Sequence, residues 1–150
     1  KRLESNCYQH MFEGCTSLSS APELPATYLV TECYHSMFNG CTSLTSAPKL
    51  PATTLEWGCY SEMFQGCTSL TSAPELPAKE LIRNCYQLMF KDCSKLRYVK
   101  ALFTTGPSEE TTKDWLSGVA ASGTFVKSKN ATWNVTGVHG IPKGWKIETR

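Results

Sequence analysis

The chain has 150 residues and a net charge of +2, from 15 basic and 13 acidic side chains. This length suits one compact domain, and the near balance of charge provides no strong field to attract nucleic acid. No apolar run approaches the ~20 residues that cross a bilayer, and no signal peptide is visible. Because the chain also lacks an initiator Met, we expect any targeting or anchoring segment to lie outside it.

A 26-residue repeat organises the first two thirds of the chain. All eight cysteines fall into two columns at this interval: Cys7, Cys33, Cys59 and Cys85, then Cys15, Cys41, Cys67 and Cys93. The three complete units agree at sixteen of 26 positions. Strict periodicity is typical of a solenoid, in which each inward position recurs once per coil, and not of a disulfide framework. We therefore predict an α/β repeat solenoid of about four units over residues 1–100, with a C-terminal capping segment over residues 101–150.

The first part of each unit has the apolar spacing of a helix with one buried face. In the second unit these apolar residues are Leu29, Cys33, Met37, Phe38 and Cys41. Gly40 then supplies the left-handed position that often ends a helix. The spacing predicts helices at 4–13, 29–39, 55–65 and 81–91.

A short strand and an extended corner complete each unit. The segment from Thr42 to Ala47 is rich in β-branched and hydroxyl residues, and Pro48 would break a helix. We expect the strands to form one parallel sheet, opposite the stacked helices, with Leu18, Leu44 and Leu70 stacked on one another. Their predicted positions are 17–20, 43–46, 69–72 and 95–99.

The last third of the chain is predicted to close the C-terminal end of the stack. We expect a helix at 109–118, with acidic residues in its first turn, and strands at 123–127 and 144–148. Three indole rings, each able to bury ~150–250 Å², are large enough to cover an exposed core. They belong to Trp115, Trp133 and Trp145.

The N-terminal end has no comparable cover. Leu3 precedes Cys7 by four residues, as Leu29 precedes Cys33, so the chain begins inside a repeat. The first strand, near 17–20, is expected to leave its outer backbone groups unpaired. We therefore expect further repeats upstream, and self-association of the chain through this N-terminal edge.

The repeat unit resembles that of a bacterial family. Its pattern, Cys-Tyr-x-x-Met-Phe-x-Gly-Cys-Thr-Ser-Leu-x-Ser-Ala-Pro-x-Leu-Pro-Ala, is similar to the BspA-type leucine-rich repeats. Residues 115–126 and 141–145 resemble the segment that often follows those repeats, while Asp92 departs from the pattern by replacing its glycine. The resemblance implies a leucine-rich-repeat solenoid, a secreted or cell-surface location, and adhesion or host-protein binding.

Catalysis and metal binding find little support in the sequence. Zinc ligands usually occur in pairs two to four residues apart, whereas the cysteines here are spaced Cys-x7-Cys, and the histidines occupy unrelated columns. Eight equivalent cysteines also offer no single nucleophile with its own base. We expect no enzymatic activity, no metal, no cofactor, and mostly reduced cysteines.

Surface recognition is therefore the function that the sequence favours, because solenoids commonly bind partners along rows of outward side chains. The candidate binding columns are Ser19, Thr45, Thr71 and Arg97, with Glu23, Lys49 and Glu75 at the corner. Tyr98 and Lys100 lie beside Arg97 and make the best single patch. We expect a host or bacterial surface protein or a glycan as the partner, with a structural spacer or stalk as the alternative.

Overall fold

The computed structural model describes residues 3–150, and most of these residues lie in turns and irregular segments. Its regular elements are β1 (Tyr98–Ala101), α1 (Glu109–Thr112), β2 (Thr124–Lys127) and β3 (Lys146–Thr149). The 26-residue periodicity appears in three dimensions as a stack of coils. Over residues 3–150, helices and strands do not alternate coil by coil as they would in an α/β repeat.

The three strands form one parallel sheet in the order β1-β2-β3. Tyr98 is paired with Thr124, one 26-residue interval later, and Thr124 is paired with Lys146 after a shorter interval. Strands near 123–127 and 144–148 were expected and are confirmed to within two residues. The strand expected at 95–99 begins three residues later, at Tyr98.

The strands predicted at 17–20, 43–46 and 69–72 are wrong as continuous strands. Parallel pairing survives only as isolated bridges, such as Ser20 with Ser46, and as single hydrogen bonds. Pro48 follows Ser46 by two residues and has no N–H to continue the ladder. The same proline recurs in each complete unit, whereas the unit that carries β1 lacks it.

The helices predicted at 4–13, 29–39, 55–65 and 81–91 are wrong. The chain forms consecutive tight turns there, over residues 5–14, 31–40, 57–66 and 83–92, which we call the turn ladder. Every fourth residue has a positive φ, as His10 at 56° and Gly14 at 69° show in the first coil. An α-helix has no such residues, so it is excluded.

Backbone hydrogen bonds alternate along the turn ladder. In the second coil the odd-numbered N–H groups close local turns, as Met37 N does with Tyr34 O at 3.3 Å. The even-numbered N–H groups donate to the next coil, as Tyr34 N does to Cys59 O at 3.1 Å. Because 26 is an even number, the same parity holds in every coil, so the backbone groups between neighbouring coils are paired without a helix or a long strand.

We expect substitutions at Glu62 to distinguish this turn from a helix. Its φ is 57°, so glycine should remove strain and keep or raise the free energy of unfolding by up to about 1 kcal/mol. The matched variant Glu62→Val introduces a β-branched residue and should lower the free energy of unfolding by about 1–2 kcal/mol. In a helix, glycine would instead cost about 1 kcal/mol relative to alanine. Urea unfolding measures both; a glycine variant less stable than the valine variant would contradict the turn ladder.

The core runs along the inside of the stack. Leu44, Leu70 and Leu96 are 0% exposed, and Leu18 packs against them at the open end. The aromatic columns stack coil on coil with ring centroids 5.5–6.1 Å apart: Tyr8, Tyr34, Tyr60 and Tyr86, and Phe12, Phe38, Phe64 and Phe90. These rings therefore set the register between coils.

The helix predicted at 109–118 is correct only for its first turn, α1. Beyond it, Asp114 and Gly118 have positive φ, and Leu88 N donates to Lys113 O at 2.8 Å. The segment from 113 to 118 thus adds a further rung to the turn ladder. The three indole rings cover the core there, as expected: Trp115, Trp133 and Trp145 are 0%, 8% and 6% exposed.

Candidate recognition surfaces

A row of exposed polar side chains crosses the coils on the strand side. Ser19, Thr45, Thr71 and Arg97 are all exposed. Backbone hydrogen bonds join the first pair and the last pair of these residues, from Thr45 N to Ser19 O at 3.3 Å and from Arg97 N to Thr71 O at 3.0 Å. We call these four residues the hydroxyl row; their positions in the structure match the column that the sequence analysis selected.

The hydroxyl row ends at Arg97 for a steric reason. The next residue in the column, one interval later, is Gly123, and a Cβ there would lie 2.5 Å from Arg97 O and 2.8 Å from Trp145 Cε2. Contacts this short with backbone and a packed ring exclude any side chain. Arg97 therefore carries the last side chain of the row.

The corner column alternates in charge. Glu23, Lys49 and Glu75 are exposed, and Lys100 takes the next position, because Leu76 N donates to Lys100 O at 2.9 Å. Lys100 Nζ lies 2.7 Å from Glu75 Oε2, with 31% and 49% of the two side chains exposed. A pair this exposed contributes little to stability, but it occupies the ammonium group that the sequence analysis offered to a partner.

Tyr98 differs from the other residues of its column by its size. It pairs with Ser72 on one side and Thr124 on the other, and its ring is half-buried. An aromatic ring that is partly exposed, next in sequence to an exposed arginine, can stack on a sugar or on a peptide side chain. Arg97 and Tyr98 are thus the residues of the predicted patch that remain available.

The cysteine columns have a structural arrangement. All eight are free thiols, and in the second column three donate to the preceding coil, as Cys41 Sγ does to Phe12 O at 3.0 Å. Burial raises the pKa of Cys33 to about 11 and those of Cys67 and Cys85 to about 12. A neutral, hydrogen-bonded thiol is a poor nucleophile.

Two histidines lie on the turn ladder. His10 Nδ1 is 2.5 Å from Glu13 Oε2, and the His10 ring meets the His35 ring edge-on at 5.2 Å. Among residues 3–150, no group of three or more His, Cys, Asp or Glu side chains is placed to hold a metal ion. Nor does any helix of that part of the chain have the length and apolarity to cross a membrane.

The N-terminal end of the stack contains a large open cavity that the sequence analysis did not define. Its volume is about 1100 Å³, and its lining is mainly apolar, including Leu3, Tyr8, Phe12, Leu24 and Leu29. The sequence did indicate an open edge at this end, because Leu3 belongs to an incomplete repeat, but it did not indicate that the edge is concave.

A buried lysine in β2 was also not predicted from the sequence. Lys127 is only 6% exposed, although the alternating pattern of its strand gave no sign of this. Its Nζ donates to Trp133 O at 2.6 Å and Asn134 Oδ1 at 2.8 Å, and lies 5.2 Å from the Trp133 ring centroid. These contacts fix the last coil over the core and leave the ammonium group unavailable to a ligand.

Comparison with known proteins adds no relative. No family model matches the sequence, and no curated protein and no solved structure shows significant similarity to the chain.

Proposed function

We propose that the chain is a non-catalytic recognition or adhesion module that binds a host or bacterial surface protein or a glycan along the hydroxyl row. The observation that carries the proposal is the alignment of exposed hydroxyl groups, coil after coil, with Arg97 and Tyr98 at the end of the row. Solenoids typically use such extended rows of side chains for binding.

The chemistry of the row suits a polar ligand. A hydroxyl can both donate and accept, so Ser19 and Thr71 can match the hydroxyl groups of a glycan or the backbone of a peptide. Thr45 Oγ1 donates to Ser19 O at 3.3 Å and keeps its acceptor sites for a ligand. Arg97 adds five fixed N–H donors, and the Tyr98 ring adds an apolar face. Arginine and tyrosine are also enriched among residues that contribute most to binding.

The leucine-rich-repeat family and the surface location belong to the same proposal. Support comes from the repeat pattern, which resembles the BspA type from its first Cys to its Leu-Pro-Ala corner. The absence of a catalytic role is also proposed, on the grounds that burial raises the pKa of the six buried cysteine thiols and that Lys100 and Lys127 are engaged with neighbouring groups.

A structural spacer with no ligand is the second candidate. The parallel aromatic stacks favour it, since rings 5.5–6.1 Å apart in successive coils make a regular rod suited to holding another domain at a distance. The two candidates differ in one measurable respect, because a spacer binds nothing along its row.

A screen against glycan and host-protein arrays should therefore give a specific ligand for the chain. We expect the double variant Arg97→Ala, Tyr98→Ala to weaken that binding at least about tenfold, because residues of these types dominate binding energies. Lys91→Ala, on the turn ladder, is the matched control and should bind as the unmodified chain does. No binding by the unmodified chain would favour the spacer; binding insensitive to Arg97 and Tyr98 would place the ligand on another surface.

A further inference from the structure

The buried lysine of β2 has a nucleophilic atom without an opposite charge beside it. Lys127 is 6% exposed, and among residues 3–150 no carboxylate pairs with its side chain. Its surroundings are aromatic, because Nζ lies 5.2 Å from the centroid of the Trp133 ring, which packs against Phe103 at 5.1 Å and Phe125 at 6.1 Å. A buried charge without a partner is costly, so a reaction that removes this charge is favoured.

The side-chain amide of Asn134 lies within hydrogen-bond distance of the same nitrogen. Lys127 Nζ is 2.6 Å from Trp133 O and 2.8 Å from Asn134 Oδ1. The amide carbon Cγ is one C=O bond of ~1.23 Å from Oδ1, so it lies within about 4.0 Å of Nζ. Reacting atoms in a productive arrangement are ~3–3.5 Å apart, and holding two groups near this distance makes their reaction effectively intramolecular.

Independent contacts hold the two side chains in place. Lys127 ends β2, which is the central strand of the sheet. Asn134 follows Trp133, whose Nε1 donates to Phe103 O at 3.2 Å. Asn134 itself is exposed, so water borders the amide and can take up a proton and a small leaving group.

We propose that Lys127 and Asn134 form an intramolecular isopeptide cross-link, a covalent modification of the chain by its own side chains. Lys127 Nζ releases one proton to water, and its lone pair attacks Asn134 Cγ to form the Nζ–Cγ bond. The Cγ–Nδ2 bond then breaks, its electron pair leaves with the nitrogen, and the resulting ammonia takes up a proton and departs as ammonium. Nothing is oxidised or reduced, and no further reactant is consumed.

The product keeps the local contacts and removes the buried charge. The N–H of the new amide can still donate to Trp133 O, while the positive charge moves to an ammonium ion in water. The bond closes the segment 127–134, which carries Trp133, so the indole that covers the core is tied covalently to β2. This inference concerns a bond within the chain and stands independently of the proposed function.

The test is mass spectrometry of the full chain, both freshly purified and after several days at mildly alkaline pH. The chain should be lighter than its sequence by one ammonia. Tryptic digestion should give a branched peptide that joins residues 114–129 to residues 130–143, because trypsin does not cleave after the modified Lys127. Fragmentation of this peptide must place the bond at Asn134, since a succinimide at Asn39 and Gly40 would also lose one ammonia but would not join two peptides.

Two variants each remove one reactant. Lys127→Arg keeps the positive charge but cannot attack, because a guanidinium stays protonated, and Asn134→Ala lacks the amide. Neither variant should yield the branched peptide. Asn130→Ala changes an exposed asparagine of the same segment and is the matched control, which should keep the cross-link. An unmodified chain that is folded by near-ultraviolet circular dichroism, yet yields no branched peptide before or after the incubation, would overturn the proposal.

Discussion

Replacing Phe64 by alanine should lower the free energy of unfolding by about 3–5 kcal/mol. Phe64 is 0% exposed and stacks between Phe38 and Phe90, with ring centroids 5.6 and 5.5 Å away. Removing the ring leaves a cavity that borders two coils, and the neighbouring rings cannot close it because the intercoil hydrogen bonds fix the coil spacing. Urea unfolding followed by circular dichroism measures the loss.

Phe12→Ala is the matched control for this variant. Phe12 occupies the same column but is half-buried, with a single ring neighbour 5.5 Å away at the open end of the stack. We expect a loss of about 1–2 kcal/mol there, because less surface returns to water and no closed cavity forms. Equal losses for the two variants would show that the stack is covered at its N-terminal end, or that the coils do not fold as one unit.

The periodicity of the core could be predicted from the sequence because burial repeats with the chain. The 26-residue interval alone aligned Leu18, Leu44 and Leu70, and large indole rings predicted how the C-terminal end is closed. Such inferences need only the rule that inward positions recur once per coil. These inferences do not depend on the local conformation of the backbone. They are therefore correct even though the predicted helices are wrong.

The helices could not be excluded from the sequence because a period of four imitates a period of 3.6 over a short segment. Leu29, Cys33, Met37 and Cys41 fit both, since a dozen residues are too few to reveal the drift between them. Of the three positive-φ columns, only one is mostly glycine. Another column has residue types that do not indicate a left-handed backbone: His10, Ser36, Glu62 and Leu88.

For the candidate surfaces, the exposure of the side chains could be predicted from the sequence, but the ion pair between two of them could not. Each residue of the hydroxyl row is polar and directly follows an inward leucine, as Thr45 follows Leu44, and this pattern is visible in the sequence. The Lys100–Glu75 pair depends on a shift in interval from 26 to 25 residues at the fourth unit, which aligns these two residues. A change of one residue in register moves every corner side chain, and no property of either residue foretells it.

Native alkylation should separate the eight cysteines into two reactive and six protected thiols. At pH 8, iodoacetamide should modify the exposed Cys7 and Cys15 readily and the buried six at least about 100-fold more slowly. The pKa of Cys33 is raised to about 11 by burial, so only about one molecule in a thousand carries its thiolate at that pH. For Cys67 and Cys85, with a pKa of about 12, the fraction is about tenfold smaller.

The pH dependence tests the cause of the protection. Because burial raises the pKa of Cys33 to about 11 and those of Cys67 and Cys85 to about 12, the alkylation rates of these three thiols should rise about tenfold per unit between pH 8 and 10, while Cys7 and Cys15 set the scale for an accessible thiol. In concentrated urea all eight should react alike, since unfolding restores their ordinary pKa and access. A buried cysteine that reacts in the native chain as fast as Cys7 would mean that its coil is open to solvent, because stacking and protection depend on the same intercoil contacts.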